Sequence, residues 1–353
     1  MATATETLFD VGSNMGVRKV REPAGAVAFQ ELPIIDLADM ESPDLSKREA
    51  LAAKVYDACT QMGFFYVKNH GFSKDSIDSI SGETKRFFKE LPLDQKMKTD
   101  RSKNKYHLGY NEFETQKKPG ARRMHPFESF LVGREAAFDY ECGAKVGPEH
   151  DAQNQWPLEE ELPGFREKVG HYFGEQLTFS RKLIRLFALS LNMDEDYFEG
   201  NMDRPGSVMS LNYYAGNTDV PSINSSINSH INAHTDHELF TILLQGGNIN
   251  ALEVVNSDGV WVPVPPIEGT FVVNIGDALS IWTNNVFVST LHRAINTSGE
   301  ERISIPFFFG ANYDTVMETL PSCISETRPR KFASVTAGEH YLSKMNTSYG
   351  NAS

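Results

Sequence analysis

Apolar and polar positions along this chain follow two rhythms, and the change between them falls near Ser207. Before that point the repeats are mostly helical. From Lys47 to Met62 the apolar positions Leu51, Val55 and Ala58 recur at helical spacing before Gly63, predicting one helix. Ser73 to Leu91, with Ile77, Ile80 and Phe87-Phe88 on one side, predicts a second. Phe165 to Leu191 predicts the longest, through Tyr172, Leu177, Leu183, Phe187 and Leu191. Pro33 to Leu37 and Phe64 to Lys68 read as short strands in this half. After Ser207 come short β runs punctuated by Gly, Asn, Pro and Asp: Val208 to Tyr214, Ile231 to Gln245, Leu252 to Asn256 and Trp261 to Pro265, then Thr270 to Ile275, Leu279 to Thr283, Leu291 to Asn296 and Ile303 to Ala311. About eight strands so spaced predict a sandwich or jelly roll. Thr336-Ala337-Gly338-Glu339 is a capping box that opens a last helix through Tyr341, Leu342 and Met345. Residues 1–30 lack clear periodicity and are expected to form a tail or loosely packed arm.

Composition narrows the range of partners. The chain has 353 residues, 40% of them apolar, enough for a sizeable core, and its 34 basic and 47 acidic residues give a net charge of −13. That balance argues against nucleic acid or an anionic membrane as main partner. Cys59, Cys142 and Cys323 are too scattered for a disulfide framework or a CxxC metal site. The first residues lack a basic start followed by an apolar stretch, and no later run is long enough to span a bilayer. The expectation is a cytoplasmic protein, monomeric, acting on a small molecule.

The candidate chemistry begins at His234-Thr235-Asp236. In a strand, residues i and i+2 point the same way, so His234 and Asp236 can grip one ion while Thr235 faces away. His292, in Leu291-His292-Arg293-Ala294-Ile295, supplies a third ligand from a distant strand. Two imidazoles and one carboxylate on one face of a metal, with positions left open, are the ligand set of non-haem Fe(II) oxygenases. Arg302-Ile303-Ser304 then opens the apolar run to Phe309, with Arg302 and Ser304 on one face. A guanidinium buried there needs an anion, at a cost of several kcal/mol if unmet. The dicarboxylate 2-oxoglutarate fits: one end chelates iron while the other takes a fork from Arg302 and a hydroxyl bond from Ser304.

Other readings of these residue types are weaker. His230 and His234 are spaced for a helical zinc face, but the segment is rich in Ser, Asn and β-branched residues and no glutamate lies between them. His237 is expected at the rim, and His70 at a turn. The cluster Lys117-Lys118-Pro119-Gly120-Ala121-Arg122-Arg123 reads as a solvated loop, with a basic lid over an acidic substrate as the alternative. Asn217 to Ser229 reads as a polar surface loop, with an active-site lid as the sharper alternative.

In these residues, over roughly positions 31 to 345, the chain resembles the isopenicillin N synthase-like branch of the 2-oxoglutarate/Fe(II)-dependent dioxygenases. Further matching motifs are Leu32-Pro33-Ile34-Ile35-Asp36-Leu37, Gly63-Phe64-Phe65-Tyr66-Val67-Lys68-Asn69-His70-Gly71 and Leu211-Asn212-Tyr213-Tyr214. Gly259-Val260-Trp261-Val262-Pro263-Val264 and Asn274-Ile275-Gly276-Asp277 follow in order. The resemblance implies an α+β fold with a mainly β core, a double-stranded β-helix (jelly roll) under a helical N-terminal layer. It implies an arm at 1–30, an N-terminal α/β region at 31–200, the catalytic core at 201–315 and a C-terminal helix and tail at 316–353. It implies His234, Asp236 and His292 as iron ligands, Arg302, Ser304 and Tyr214 as the anchor for 2-oxoglutarate, and Asn212 near it. Where relatives continue Asn-Tyr-Tyr with Pro, this chain has Ala215-Gly216, which bears on the lip of the site. The implied activity is oxidation by dioxygen of a small metabolite, in natural-product biosynthesis, by hydroxylation, desaturation or ring rearrangement, releasing succinate and CO2. The alternatives are an oxidase of the same branch that needs no 2-oxoglutarate and a non-catalytic jelly-roll binding protein. Substrate selection is expected at the mouth, with Tyr110, Phe127, Phe130, Phe309, Asn312 and Tyr313 as candidates.

Overall fold

The computed structural model describes residues 6–10, 17–21, 31–104, 106–112, 127–142, 154–216, 231–296 and 298–349. The strands are β1 (Glu6–Asp10), β2 (Val17–Arg21), β3 (Ile34–Asp36), β4 (Phe64–Lys68), β5 (Gly109–Glu112), β6 (Phe127–Gly133) and β7 (Val208–Tyr214). They continue as β8 (Ile231–His234), β9 (Phe240–Gly246), β10 (Leu252–Val255), β11 (Trp261–Pro263), β12 (Thr270–Ile275), β13 (His292–Ala294) and β14 (Arg302–Phe309). The helices are α1 (Leu45–Gln61), α2 (Lys74–Glu90), α3 (Leu93–Lys96), α4 (Phe165–Ser190), α5 (Asp277–Trp282) and α6 (Ala337–Tyr349).

Local chemistry sets the helix ends. Asp44 caps α1 by accepting from the Ser46 amide at 3.0 Å, and Ser73 caps α2 by accepting from Ser76 at 3.0 Å. At the far end of α1 the amides of Met62 and Gly63 both close on the Ala58 carbonyl. Gly63 then turns the chain at φ +67°, where a Cβ would lie 1.9 Å from the Val288 carbonyl oxygen, so only glycine fits. The Thr336–Glu339 box opens α6 as expected, each residue's side chain bonding the other's amide, at 3.2 and 3.1 Å.

Two sheets carry the β half. The larger runs β3-β4-β12-β9-β14-β7-β6-β5 and the smaller β11-β10-β13-β8; every pairing in them is antiparallel except β3 with β4. The large sheet is covered on both sides. One face packs on α1, α2 and α4 through Phe65, Phe130, Leu211, Ile242, Ile305 and Phe307 against Phe87, Phe173 and Phe187. The other meets the small sheet through Phe64, Tyr66, Leu243 and Val272 against Leu252, Val254 and Val262. This is the double-stranded β-helix with its helical layer.

Three expectations are corrected. The run Ile231 to Gln245 is not one strand: β8 belongs to the small sheet and β9 to the large one, and residues 235–239 cross between them. Leu279 to Thr283 is not a strand: Leu279 to Trp282 belong to α5, whose six residues are all buried, and Thr283 is its C-cap. Buried on every side, it carries no period to distinguish helix from strand. Residues 6–10 and 17–21 are not a tail but a hairpin, and Val20 is fully buried with Val255, Trp261, Ile281 and Leu291 on the outer face of the small sheet. The strands β5 and β6, which the hydropathy pattern did not single out, extend the large sheet beyond β7. The basic run 117–123 and the loop 217–229 lie outside the described residues.

The helix-side core rests on stacked aromatics. Phe187 of α4 is fully buried, with ring centroids 5.1 Å from Phe240 and 5.9 Å from Phe287. Phe187→Ala is expected to lower the unfolding free energy by about 3–5 kcal/mol in urea denaturation; an unchanged midpoint would contradict this packing.

Candidate active site

Alternation along the inner strands decides what faces the space between the sheets. In β7 paired to β14, Arg302 lies opposite Tyr214 and Ser304 opposite Asn212; in β6, Phe127 lies opposite Tyr214 and Ser129 opposite Asn212. These residues, with Thr241 and Asn274 from β9 and β12, share the face turned toward the small sheet. From the small sheet, His234 pairs across from His292. The interior therefore collects polar side chains within an otherwise apolar layer.

His234, Asp236 and His292 converge, their ligand atoms lying within 4.8 Å of one another. The Nε2 atoms of His234 and His292 are each 3.6 Å from Asp236 Oδ1, and the two rings are 4.3 Å apart. Asp236 and His292 each have a support. Asp236 Oδ2 accepts from Thr241 Oγ1 at 2.5 Å and from Asn274 Nδ2 at 2.7 Å, which leaves Oδ1 turned to the imidazoles. His292 Nδ1 faces the Thr290 carbonyl at 3.1 Å; donating there keeps the lone pair on Nε2. Burial alone would push the Asp236 carboxyl up, but His292 and His234, then Thr241 and Asn274, hold it below the usual carboxylate range. The strand ends at His234, so Asp236 is held not by a ladder but by its own carbonyl, which accepts from the Asp277 amide at 2.8 Å.

Asp277 braces this turn from behind. Its carboxylate is fully buried and accepts from Thr235 Oγ1 at 3.1 Å, Ser289 Oγ at 2.7 Å and Lys344 Nζ at 2.8 Å. Thr235 thus faces away from the ligand side, as its place in the triplet predicts, and α6 is tied to the metal-type cluster through one buried ion pair. His237 is joined to the same helix, its carbonyl 3.0 Å from His340 Nε2. Sequence reasoning missed Thr241, Asp277, Ser289 and Lys344 as supports. Asp277 had a signal, since it ends a motif already quoted.

Opposite the cluster, Arg302 is 2% exposed and its guanidinium lies 4.8 Å from the centre of the Tyr214 ring. Its Nη1 is buried with no hydrogen-bond partner among the described residues. A buried cation so placed has the chemistry to take an anion. Ser304 and Asn212 are buried beside it, and Asn212 Oδ1 accepts from Ser210 Oγ at 2.7 Å. Burial pushes the Tyr214 hydroxyl up against the opposing pull of Arg302.

The candidates for the mouth divide. Phe127 shares the inner face and stacks on Tyr214 at 4.9 Å. Tyr110, Phe130 and Phe309 are corrected: they point to the helix side, Phe130 onto Phe87 at 4.6 Å, Tyr110 onto Phe87 at 6.0 Å and Phe309 onto Phe240 at 5.1 Å. Counting by twos from Arg302 reaches Phe308, which is half-buried on the inner face. Asn312 brackets a loop, donating to Asp203 Oδ1 at 2.6 Å and accepting from the Arg204 amide at 2.7 Å. Tyr313 lines a narrow crevice at the mouth with Tyr106, Gly206, Val208 and Tyr341. Near it, Glu238 is buried, and burial, with the Asp236 charge second, pushes its carboxyl up to about 8.

Two family models match this chain: residues 205–311 match the 2OG-Fe(II) oxygenase superfamily and residues 32–159 the N-terminal region of non-haem dioxygenases in morphine synthesis. The chain belongs to the 2OG-Fe(II) oxygenase superfamily. Among its relatives, a 2-oxoglutarate-Fe(II) type oxidoreductase of Metarhizium majus is 33% identical, over 90% of this chain and 87% of that one. A homoarginine-6-hydroxylase of Glycine max is 35% identical, over 92% and 99%. A full-length Neurospora crassa protein, crystallised with alpha-KG and thymine, superposes with a TM-score of 0.77 at 25% identity, over 90% of this chain and 97% of that one. The protein is thus an Fe(II)- and 2-oxoglutarate-dependent oxidoreductase. The donor set fits: two imidazoles and a carboxylate suit Fe(II), and the partnerless Arg302 nitrogen suits a carboxylate.

Two measurements check this arrangement of the oxygenase. Asn274→Leu and Thr241→Val each remove a support of Asp236 and are expected to weaken Fe(II) binding about 10- to 100-fold in anaerobic titration. The alternation in β14 predicts that Phe309→Ala lowers stability by about 3–5 kcal/mol, whereas Phe308→Ala leaves the denaturation midpoint nearer the parent's and uncouples succinate release from product formation. The reverse outcome would place the wrong phenylalanine at the site.

Proposed function

We propose that His234, Asp236 and His292 hold the Fe(II), and that Arg302, Ser304 and Tyr214 bind the distal carboxylate of 2-oxoglutarate with Asn212 nearby. The observation that carries this reading is the buried Nη1 of Arg302, without a partner among the described residues, on the face shared with the cluster. Bound Fe(II) would chelate the 2-oxo acid and activate dioxygen, the oxidant, toward a C–H bond. The residues around it have separate tasks. Thr241, Asn274 and the Asp277 amide orient Asp236, and the Thr290 carbonyl orients His292. Phe64, whose ring lies edge-on to His292 at 5.2 Å, and the apolar layer beside it keep water from that flank.

The substrate proposed is a compact metabolite, admitted past Phe127, Phe308 and the tyrosines of the mouth and oxidised by hydroxylation, desaturation or ring rearrangement. Relatives support small substrates: one is named for hydroxylating homoarginine, another is an azadirone synthase, and a solved neighbour holds thymine. A place in natural-product metabolism is consistent with the second of these. A reducing cytoplasm suits Fe(II) and the three free cysteines. No helix among the described residues is long and apolar enough to cross a membrane.

Asp236→Ala and His292→Ala are expected to lose Fe(II) binding and turnover while remaining folded by circular dichroism. Arg302→Leu is expected to weaken 2-oxoglutarate binding by about 3–5 kcal/mol, hundreds-fold or more, with only partial recovery in Arg302→Lys because a point charge cannot form the fork. Stoichiometric succinate release provides the assay; turnover without 2-oxoglutarate would contradict the assignment.

A further inference from the structure

We propose that Arg134, which borders the crevice at the barrel mouth, anchors a carboxylate of the substrate. The inference rests on the assignment of iron and 2-oxoglutarate above and adds to it the substrate's charge. Two arginines keep buried nitrogens without a hydrogen-bond partner among the described residues: Arg302 through Nη1, and Arg134 through both Nη1 and Nη2. Arg134 is 2% exposed and neither nitrogen reaches bulk water, so solvent does not supply the missing acceptors. Its Nε donates to Asp139 Oδ2 at 2.7 Å, but the same carboxylate also takes Nη1 and Nη2 of Arg181, at 2.7 and 2.8 Å. Two guanidinium groups thus share one buried carboxylate. Glu141, 3.3 Å from Arg181 Nη1, adds a partner to Arg181 and none to Arg134. A buried cation whose Nη edge is unmet is costly to keep, unless a ligand brings an anion.

The crevice suits that anion. With Arg134 it is lined by Ser207 and by Tyr106, Tyr313 and Tyr341, and among the described residues its lining contains no acid. The Nη1–Nη2 edge of a guanidinium matches the two oxygens of a carboxylate in a fork. Ser207 Oγ accepts from the Gly310 amide at 3.3 Å, which leaves its proton available for a further bond to the anion. All three tyrosines are half-buried, and a ligand enters as their rings turn aside. The place of the crevice links it to the metal cluster. Gly133 of its lining lies opposite Val208, Val208 opposite Phe308, and Phe308 opposite Thr241, which binds Asp236. Gly133 is therefore three strand spacings, about 14 Å, from the support of the cluster. A carboxylate held at Arg134 puts a carbon several bonds away beside the metal, so the substrate class is an extended carboxylic acid oxidised at a distance from its carboxyl group.

The test uses the full chain holding Fe(II) and saturating 2-oxoglutarate without oxygen, after both have been titrated in, so that Arg302 is already occupied. Calorimetry then compares hexanoate with neutral hexanamide and cationic n-pentylammonium. Hexanoate should bind about tenfold or more tighter than hexanamide, and n-pentylammonium should bind no better than hexanamide. Arg134→Gln should erase the preference for hexanoate while its affinity for 2-oxoglutarate stays at the parent's value. Crystals of the parent complex with hexanoate give a second readout that does not depend on the variant's folding: the carboxylate should pair with Arg134. Binding of hexanamide or n-pentylammonium as tight as that of hexanoate, no measurable binding of hexanoate at millimolar concentration, a preference surviving Arg134→Gln, or hexanoate seated elsewhere would overturn the inference. So would loss of 2-oxoglutarate binding in folded Arg134→Gln, which would make Arg134 part of the co-substrate site. Failure of the initial Fe(II) or 2-oxoglutarate titration would instead count against the proposed function, so the two failures are told apart.

Discussion

The central strands of the large sheet are buried on both faces, and this constraint governs the rest of the molecule. A strand with helices on one side and a second sheet on the other has no water to satisfy a polar side chain. Each such group must find a partner in the protein or wait for a ligand. On the helix side nearly all positions are apolar, and Phe87, Phe130 and Phe165 interlock there, with Phe187 packed on Phe240 and Phe287. On the inner side the same strands carry Asn212, Thr241, Asn274, Arg302 and Ser304. Thr241 and Asn274 find their partner in Asp236, while Nη1 of Arg302 finds none among the described residues.

Asp236 is the point at which the two sheets meet. Its side chain is bound by residues of β9 and β12, its backbone by the start of α5, and the histidines it faces belong to β8 and β13. Asp277, Ser289 and Lys344 extend this brace to the C-terminal helix through a pair buried on both sides. Removing one partner of such a pair is more damaging than never having had it, because the other charge stays behind. The C-terminal helix is in this sense part of the frame around the proposed metal ligands.

Much of this was legible in the sequence, for physical reasons that can be named. β7 and β12 were expected with the bounds observed, because short apolar runs between turn residues mark strands clearly. His234, Asp236, His292 and Arg302 stood out because ionisable groups in apolar strands need a reason to be there. What failed was partly a matter of counting: Arg302, Ser304 and Phe308 have the same parity, so the inner-face phenylalanine was available from the alternation that also excludes Phe309. α5 was misread because burial on every side erases its period. The Asp277–Lys344 pair joins residues 67 apart, and nothing in local sequence foretells which acid a distant lysine will meet.

The central claim is that one interior holds both the metal cluster and the carboxylate anchor. An anaerobic crystal structure of the full chain grown with Fe(II) and 2-oxoglutarate tests it most directly. The account predicts one iron bonded to His234, Asp236 and His292, with the 2-oxo acid chelating it and the far carboxylate paired to Arg302. Iron bound elsewhere, or a 2-oxoglutarate whose far carboxylate leaves Arg302 without a partner, would contradict it.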